Sequence, residues 1–226
     1  MSASKLPPLP PCVVWDWNGT LFDDAWLCVE IMDGMLRQRG LPGLSAEQYA
    51  EWFDFPVRRY YERLGFDLER EPFDRIGAEF IRLYETRRYE CALRAGAREL
   101  LEGLRRRGVN QVLISAYHRD SLLSLLDHFE IRDLFSTVLG ASDVYAYGKI
   151  PLALEWFQNH GRRPSEIWVI GDTLHDAEMA RHLGALCWLV FAGHQSRRRL
   201  ETAGAPVVEG LEQLPLWTWA VENLRA

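Results

Sequence analysis

Three acids, one hydroxyl and one lysine stand where short apolar runs of this chain give out. The run "CVVW" (12–15) leads to Asp16 and then at once through Trp17-Asn18-Gly19-Thr20, and "QVLI" (111–114) leads to Ser115. The loop after "STVLG" (136–140) reaches Lys149, and "IWVIG" (167–171) leads to Asp172, with Asp176 four residues beyond. If these runs are strands of one open α/β sheet, their carboxyl ends share a rim, which is where such sheets bind ligands. Carboxylates gathered there can hold a hard divalent cation, while a hydroxyl, an ammonium and backbone N–H groups hold a phosphate. A carboxylate of the same set can also attack that phosphorus as a nucleophile.

Each residue also has a plainer role open to it. Asp16 can cap the Gly-containing turn that follows it, and Ser115 can cap a helix. Asp172 and Asp176 can serve a helix macrodipole, although like charges so close gain more from a cation beside them. Lys149 can be a solvated surface charge, but composition argues otherwise. Of 26 basic residues, 24 are arginine and two are lysine, and Lys5 lies in the N-terminal arm. A chain that uses arginine nearly everywhere keeps one lysine at 149, where a compact ammonium fits and a guanidinium fork would crowd a metal. His118 and His175 lie within a few residues of these acids and hydroxyls, and polar-loop histidines are usually solvated or structural. In "AGHQSRRRLETAG", His194, Gln195 and Ser196 follow the fifth apolar run, with an N-cap serine before a basic, solvated helix face as the competing role.

The elements that must position this set are legible as an alternation. The runs named above, with "LCWLV" (186–190) and "PVVE" (206–209), have the length and branching of strands. Between them, "GARELLEGLRRRG", "RDSLLSLLDHFEI", "IPLALEWFQNHG", "DAEMARHLG" and "SRRRLETAG" repeat apolar residues near the helical period, and several close on glycine. Such alternation predicts an α/β fold, a Rossmann-like parallel sheet with helices on both faces. Residues 22–92 break the rhythm. They carry helical patterns such as "AWLCVEIMDGMLRQRG" and "FDRIGAEFIRLYETRRYE" and no convincing strand, so an all-helical insertion after the first strand is expected. The division expected is an arm over 1–11, a core over 12–21 and 93–226, and a helical cap over 22–92. The cap aromatics Trp26, Tyr49, Trp52, Phe53, Phe55, Tyr60 and Tyr61 belong mostly to its core, with some facing the substrate side.

Composition excludes several classes. The 226 residues are 48% hydrophobic and 26% charged, enough to bury a full core. A net charge of -6 with dispersed arginines offers nucleic acid no basic footprint. Cys12, Cys28, Cys91 and Cys187 lie far apart with no CxxC, which suggests neither a zinc ribbon nor a disulfide framework and makes a cytoplasmic location the default. The segment "MSASKLPPLPP" is too proline-rich and too polar for a signal peptide, and no apolar run approaches the ~20 residues of a membrane span.

Taken in order, "DWNGTL", "LISAY", "YGK" and "GDTLHDAE" resemble the four motifs of the haloacid dehalogenase superfamily, over residues 12 to about 209. The helical insertion resembles the small cap of its phosphoglycolate phosphatase-like branch. The resemblance implies a magnesium-dependent hydrolase of a small phosphorylated metabolite. It implies Asp16 as nucleophile and metal ligand, the Asn18 backbone carbonyl as a second ligand, Asp172 as a direct carboxylate ligand and Asp176 as a second, water-mediated one. It implies Ser115 and Lys149 on the phosphoryl oxygens, and the turn suggests Trp17 and Gly19 N–H groups as added anion donors. Asn18 departs from the pattern, because family phosphatases usually carry an acid/base aspartate there. An amide can neither give nor take that proton, so a contribution of about 10²- to 10⁴-fold should be missing. The alternative is a catalytically weak phosphate-binding or regulatory relative. Branches that lack the second acid for other reasons fit less well: one forms a Schiff base on a cap lysine, and residues 22–92 contain no lysine, while the metal-free dehalogenases do not keep the acidic pair that "GDTLHD" retains.

Overall fold

The computed structural model describes residues 7–141, 149–161 and 163–221. Residues 1–6 of the expected arm, and Tyr147 and Gly148 of "YGK", lie outside them. Pro7 and Leu9 lie against the body: the Pro7 carbonyl accepts a hydrogen bond from Trp219 Nε1, and Leu9 packs on the core.

In chain order the elements are β1 (Cys12–Trp15), β2 (Phe22–Asp23), α1 (Ala25–Gln38), α2 (Ala46–Trp52), α3 (Val57–Leu64), α4 (Phe73–Arg87) and β3 (Ala92–Leu93). There follow α5 (Ala97–Arg106), β4 (Asn110–His118), α6 (Arg119–His128), β5 (Thr137–Ala141), α7 (Ile150–His160), β6 (Ile167–Gly171) and α8 (Leu174–Leu183). The described residues close with β7 (Leu186–Val190), α9 (Arg197–Leu200), β8 (Val207–Val208) and α10 (Pro215–Ala220).

Among the described residues six strands form one parallel sheet in the order β5-β4-β1-β6-β7-β8. All four residues of β1 are buried because both faces of this strand are covered, which is why its sequence is a continuous apolar run rather than an alternating one. Val13 and Trp15 face the core that includes Leu100, Leu101 and Leu104 of α5. Cys12 and Val14 face Trp156 of α7 and Met179 and Leu183 of α8 on the other side. In α5, Ala97, Leu100, Leu101 and Leu104 fall at the i, i+3, i+4, i+7 positions of one buried stripe. Strand order reverses at β1, with β4 on one side and β6 on the other, so the carboxyl ends of these three strands enclose a crevice.

Residues 22–92, expected to lack strands, open on one: β2 pairs antiparallel with β3, through Phe22↔Leu93 and Asp23↔Ala92. Two residues per strand are too few for an alternating pattern, so the pairing leaves no trace in sequence. Between β2 and β3 the elements are helical. Helix α2 starts at a reciprocal Ser45–Gln48 capping box, and α1 buries Leu27, Ile31, Met35 and their neighbours. Strand β4 outruns the expected 111–114. It continues to His118 across an irregular register with β5 between Ile114 and His118, which places Ser115 inside the strand rather than at its end.

Candidate active site

The turn after β1 is built on one carbonyl. Trp17 O accepts hydrogen bonds from Thr20, Leu21 and Phe22 N–H, and Asp16 N–H is tied to Ile170 O of β6. Gly19 sits at φ 75°, and a Cβ there would overlap the Asp172 carboxylate. Gly193 also leaves room for Asp172, and Gly171 leaves room for Asp176. Three glycines therefore let the backbone close around two acids.

Asp16, Asp172 and Asp176 converge, with one carboxylate oxygen from each lying within 4.8 Å of the others, all buried. Lys149, buried at the head of α7, pairs through its Nζ with Asp16 Oδ1 and, at 2.5 Å, with Asp176 Oδ1. Thr20 Oγ1 lies 2.8 Å from Asp172 Oδ1 and 3.5 Å from Asp16 Oδ2. Asp176 has two duties. Its Oδ2 accepts from Thr173 N, Thr173 Oγ1 and Asp172 N and so caps α8, while Oδ1 faces the Lys149 ammonium.

The charges are uneven. Burial pushes Asp16 well above the ordinary aspartate value, and Asp176 and Asp172 add to that, while Lys149 opposes it. Asp172 is raised by burial and by Asp176, partly offset by His194. For Asp176, burial acts upward, but the Lys149 ammonium and the Thr173 hydroxyl hold the carboxyl below its usual value. Lys149 itself is raised, because Asp16 and Asp176 overcome its burial. Three carboxylates against one ammonium would leave two negative charges, which suits an oxygen-liganded divalent cation. The glycine-lined approach fits such an ion as well.

Asn18 is locked on every side. Its Nδ2 donates to Asp24 Oδ2 at 2.7 Å and to Tyr84 Oη at 3.0 Å, and its Oδ1 accepts from Ser115 Oγ at 3.5 Å. Tyr84 in turn donates to Asp24 Oδ2 at 2.7 Å, and Gly19 N–H donates to Asp24 Oδ1 at 2.9 Å. The Gly19 N–H, expected to serve as an anion donor, is thus committed to Asp24 and to Phe22 O. That correction follows from the tightness of the turn, which folds Asp24 back over the glycine.

Asp24 also faces His194, with Nε2 at 3.4 Å from Oδ1, and His194 Nδ1 lies 2.8 Å from the Tyr49 hydroxyl. The His194 backbone N–H reaches Asp172 Oδ2 at 2.6 Å. Burial alone would depress the His194 imidazole, but Asp24, Asp172 and Asp16 raise it to about 9. Asp24 is lowered: burial acts upward, and His194, Tyr84 and Asn18 outweigh it. Asp24, Cys28 and His194 have metal-ligand proximity too, yet these hydrogen bonds and the ion pair already occupy both oxygens of Asp24 and both ring nitrogens of His194.

The remaining candidates divide. His118 lines the cavity in front of Lys149, while His175 stacks on Phe55 at 4.7 Å. Ser196 does cap α9, but the basic face beyond it is not merely solvated. Arg198 pairs with Glu51 and Arg199 with Asp54, and Gln195 Nε2 donates to Phe53 O at 2.9 Å, so 194–199 docks the helical segment onto the sheet. Tyr49 is one of the cap aromatics that turn to the substrate side, while Tyr84 carried no sequence signal for its part in the site, since a tyrosine on an amphipathic helix reads as core.

Residues 13–190 match the family model for haloacid dehalogenase-like hydrolases, and the chain belongs to that family and is a hydrolase. Among its relatives is a phosphoglycolate phosphatase of Pseudomonas fluorescens, 28% identical over 91% of this chain and 79% of that one. A phosphoglycolate phosphatase of Rhodobacter capsulatus is 25% identical over 94% of this chain and all of its own length. Solved structures share the fold. A predicted phosphatase from Clostridium acetobutylicum superposes with a TM-score of 0.78 at 19% identity, covering 97% of this chain and 100% of that one. CbbY from Rhodobacter sphaeroides, in complex with phosphate, superposes at 0.70 and 18%, covering 91% and 96%.

Proposed function

We propose that this hydrolase is a cytoplasmic, magnesium-dependent phosphatase, phosphoglycolate phosphatase-like, that hydrolyses a phosphate monoester through an aspartyl-phosphate on Asp16. One observation carries this: Asp16 lies at the switch point of the sheet with Lys149, Asp172 and Asp176 around it and Ser115 on the adjacent strand, all but Asp172 and Asp176 lining one cavity. The names of the relatives support the reaction class. None of the four cysteines forms a disulfide, which suits a reducing compartment, and among the described residues no helix is long and apolar enough to cross a membrane.

Asp16, Asp172, the Asn18 carbonyl and, through water, Asp176 would hold Mg²⁺, which when bound supplies positive charge to the phosphoryl oxygens and relieves the carboxylate repulsion. Lys149 and Ser115 hold the phosphoryl group, with Trp17 N–H as a further donor. Asp16 Oδ attacks phosphorus, an O–P bond forms, and the ester P–O bond breaks to release the alkoxide, which takes up a proton. Water then attacks the same phosphorus, the aspartyl O–P bond breaks, and orthophosphate leaves. Asn18 holds Ser115, Tyr84 and Asp24 in place and shuttles no proton, so the second step is the slow one and the phospho-aspartate accumulates. The helices between β2 and β3 act as the cap over the reaction.

With a phosphate ester and Mg²⁺, Asp16 should acquire a hydroxylamine-labile phosphoryl group detectable by mass spectrometry. Phosphate release by Asp16→Asn at the parent rate would remove the nucleophile assignment. The locked amide at 18 also supports a second reading, a phosphate-binding relative without useful turnover. Binding of orthophosphate with Mg²⁺, in a protein that releases no phosphate from any ester, would decide for it.

A further inference from the structure

Asp16 and Lys149 close one end of a cavity of about 400 Å³ that extends from the carboxyl ends of the strands under the helices between β2 and β3. Its far wall is aromatic and aliphatic: Phe53, Phe55, Tyr60, Phe73, Phe80 and Ile81. The rings brace one another, Phe53 lying 5.6 Å from Phe55 and 5.5 Å from Tyr60 in edge-on contacts, so the wall is formed before any ligand arrives.

The Lys149 and His194 cations of the cavity are already engaged by acids. Among the described lining residues Lys149 is the only lysine or arginine, and Asp16 and Asp176 engage it. Glu85 accepts from Tyr117 and Ser121 and pairs with Arg88 at 2.7 Å, and Asp24 faces His194. A carboxylate on the organic group of the ester would lose its water against aromatic rings and find no free guanidinium or ammonium among these residues, which is strongly unfavourable. An uncharged apolar group would gain from the same wall.

The helix that forms part of the wall keeps space for such a group. Gly77 lies inside α4 and lines the cavity, and a Cβ built there meets nothing within 4 Å. Glycine in a helix interior is unfavourable relative to alanine, so this position gives up helix propensity and leaves the cavity wider.

We infer, resting on the phosphatase activity proposed above, that the substrate is the phosphate monoester of an uncharged aromatic or bulky apolar alcohol rather than of a short carboxylated one. The volume lies in the range of roughly 300–1,000 Å³ typical of sites for drug-sized molecules.

The test compares three alkyl esters, so that leaving-group reactivity differs little: 2-(1-naphthyl)ethyl phosphate, ethyl phosphate and 2-phosphoglycolate, each with Mg²⁺. The parent should show kcat/KM for the naphthyl ester at least about tenfold above either small ester. Gly77→Leu, which fills open space and favours the helix, should lower the naphthyl-to-ethyl ratio at least about fivefold. Ile81→Arg, which places a cation in the wall, should raise the phosphoglycolate-to-ethyl ratio by a similar factor. A parent that prefers phosphoglycolate, or ratios unchanged in both variants, overturns the inference and leaves the phosphatase reading standing. If the parent hydrolyses none of the three, that reading fails, and calorimetry with non-hydrolysable isosteres decides the cavity: 3-(1-naphthyl)propylphosphonate should bind about tenfold tighter than 3-phosphonopropionate, and equal or weaker binding overturns the assignment.

Discussion

Replacing Asn18 by aspartate looks conservative in sequence, an exchange of an amide for a carboxylate of the same shape that would restore the usual acid/base group. The structure shows why the exchange is not electrostatically neutral. Nδ2 of Asn18 lies 2.7 Å from Asp24 Oδ2 and donates to it, so the substitution puts a half-buried carboxylate oxygen against the buried one of Asp24. Two full charges at that distance repel by about 6 kcal/mol at an effective dielectric constant of 20. Keeping one proton on the pair at pH 7 costs less, about 4 kcal/mol, because it requires a shift of about three units at about 1.4 kcal/mol each. The cheaper outcome prevails: the variant holds a shared proton and loses about 4 kcal/mol, a fall of roughly 8–16 °C in Tm for a chain of this size. A carboxyl with a raised folded pKa is penalised above its unfolded value, so the deficit should shrink to about 1.5 kcal/mol at pH 5 and vanish near pH 4. Urea unfolding in metal-free buffer at pH 7 and pH 5 measures both. Asn18→Asp combined with Asp24→Asn restores an amide opposite a carboxylate, so the double variant should be more stable than the sum of the singles by about 4 kcal/mol, and turnover on alkyl phosphates should rise with an acid back at position 18. A single variant within 2 °C of the parent at pH 7, or singles that simply add, would refute the Asp24 constraint.

Lys149→Met leaves Asp16 and Asp176 without their cation and should cost about 3–5 kcal/mol without metal, read by urea unfolding; an unchanged midpoint would mean that the pair contributes nothing. Millimolar Mg²⁺ should raise the Tm of the parent, and Asp172→Asn should abolish that rise, as differential scanning calorimetry would show. The His194–Asp24 pair sets a pH window. With His194 raised to about 9, its contribution is complete below the unfolded value of about 6.5 and is lost as pH rises through about 9. With Asp24 lowered, its own share is present above the unfolded carboxyl value and is lost as pH falls through the folded one. His194→Gln should therefore flatten the Tm profile between pH 6.5 and about 9 in metal-free buffer, and a profile parallel to that of the parent would exclude the pair as its cause.

The parallel α/β sheet was legible in the sequence because a strand covered on both faces must be apolar throughout, and the rim was expected at the ends of those runs because polar residues interrupt them there; the spatial order of the strands was set only by packing. Asp16, Asp172 and Lys149 stood out on those grounds, Lys149 also because the chain otherwise uses arginine. Ser115 was expected at the end of its strand, but β4 continues past it through an irregular register that has no periodic signature. The surroundings of Asn18 belong to tertiary structure alone. Asp24 is six residues away, but Tyr84 and His194 lie 66 and 176 residues from Asn18 in the chain, and only the docking of 194–199 on the helical segment brings His194 to Asp24. Some cap aromatics were expected to face the substrate side, and packing decided which: Phe53, Phe55 and Tyr60 line the cavity and Trp26 and Trp52 do not. Periodicity reports which face of an element is apolar; whether that face meets another side chain or an empty space is decided by how distant elements pack.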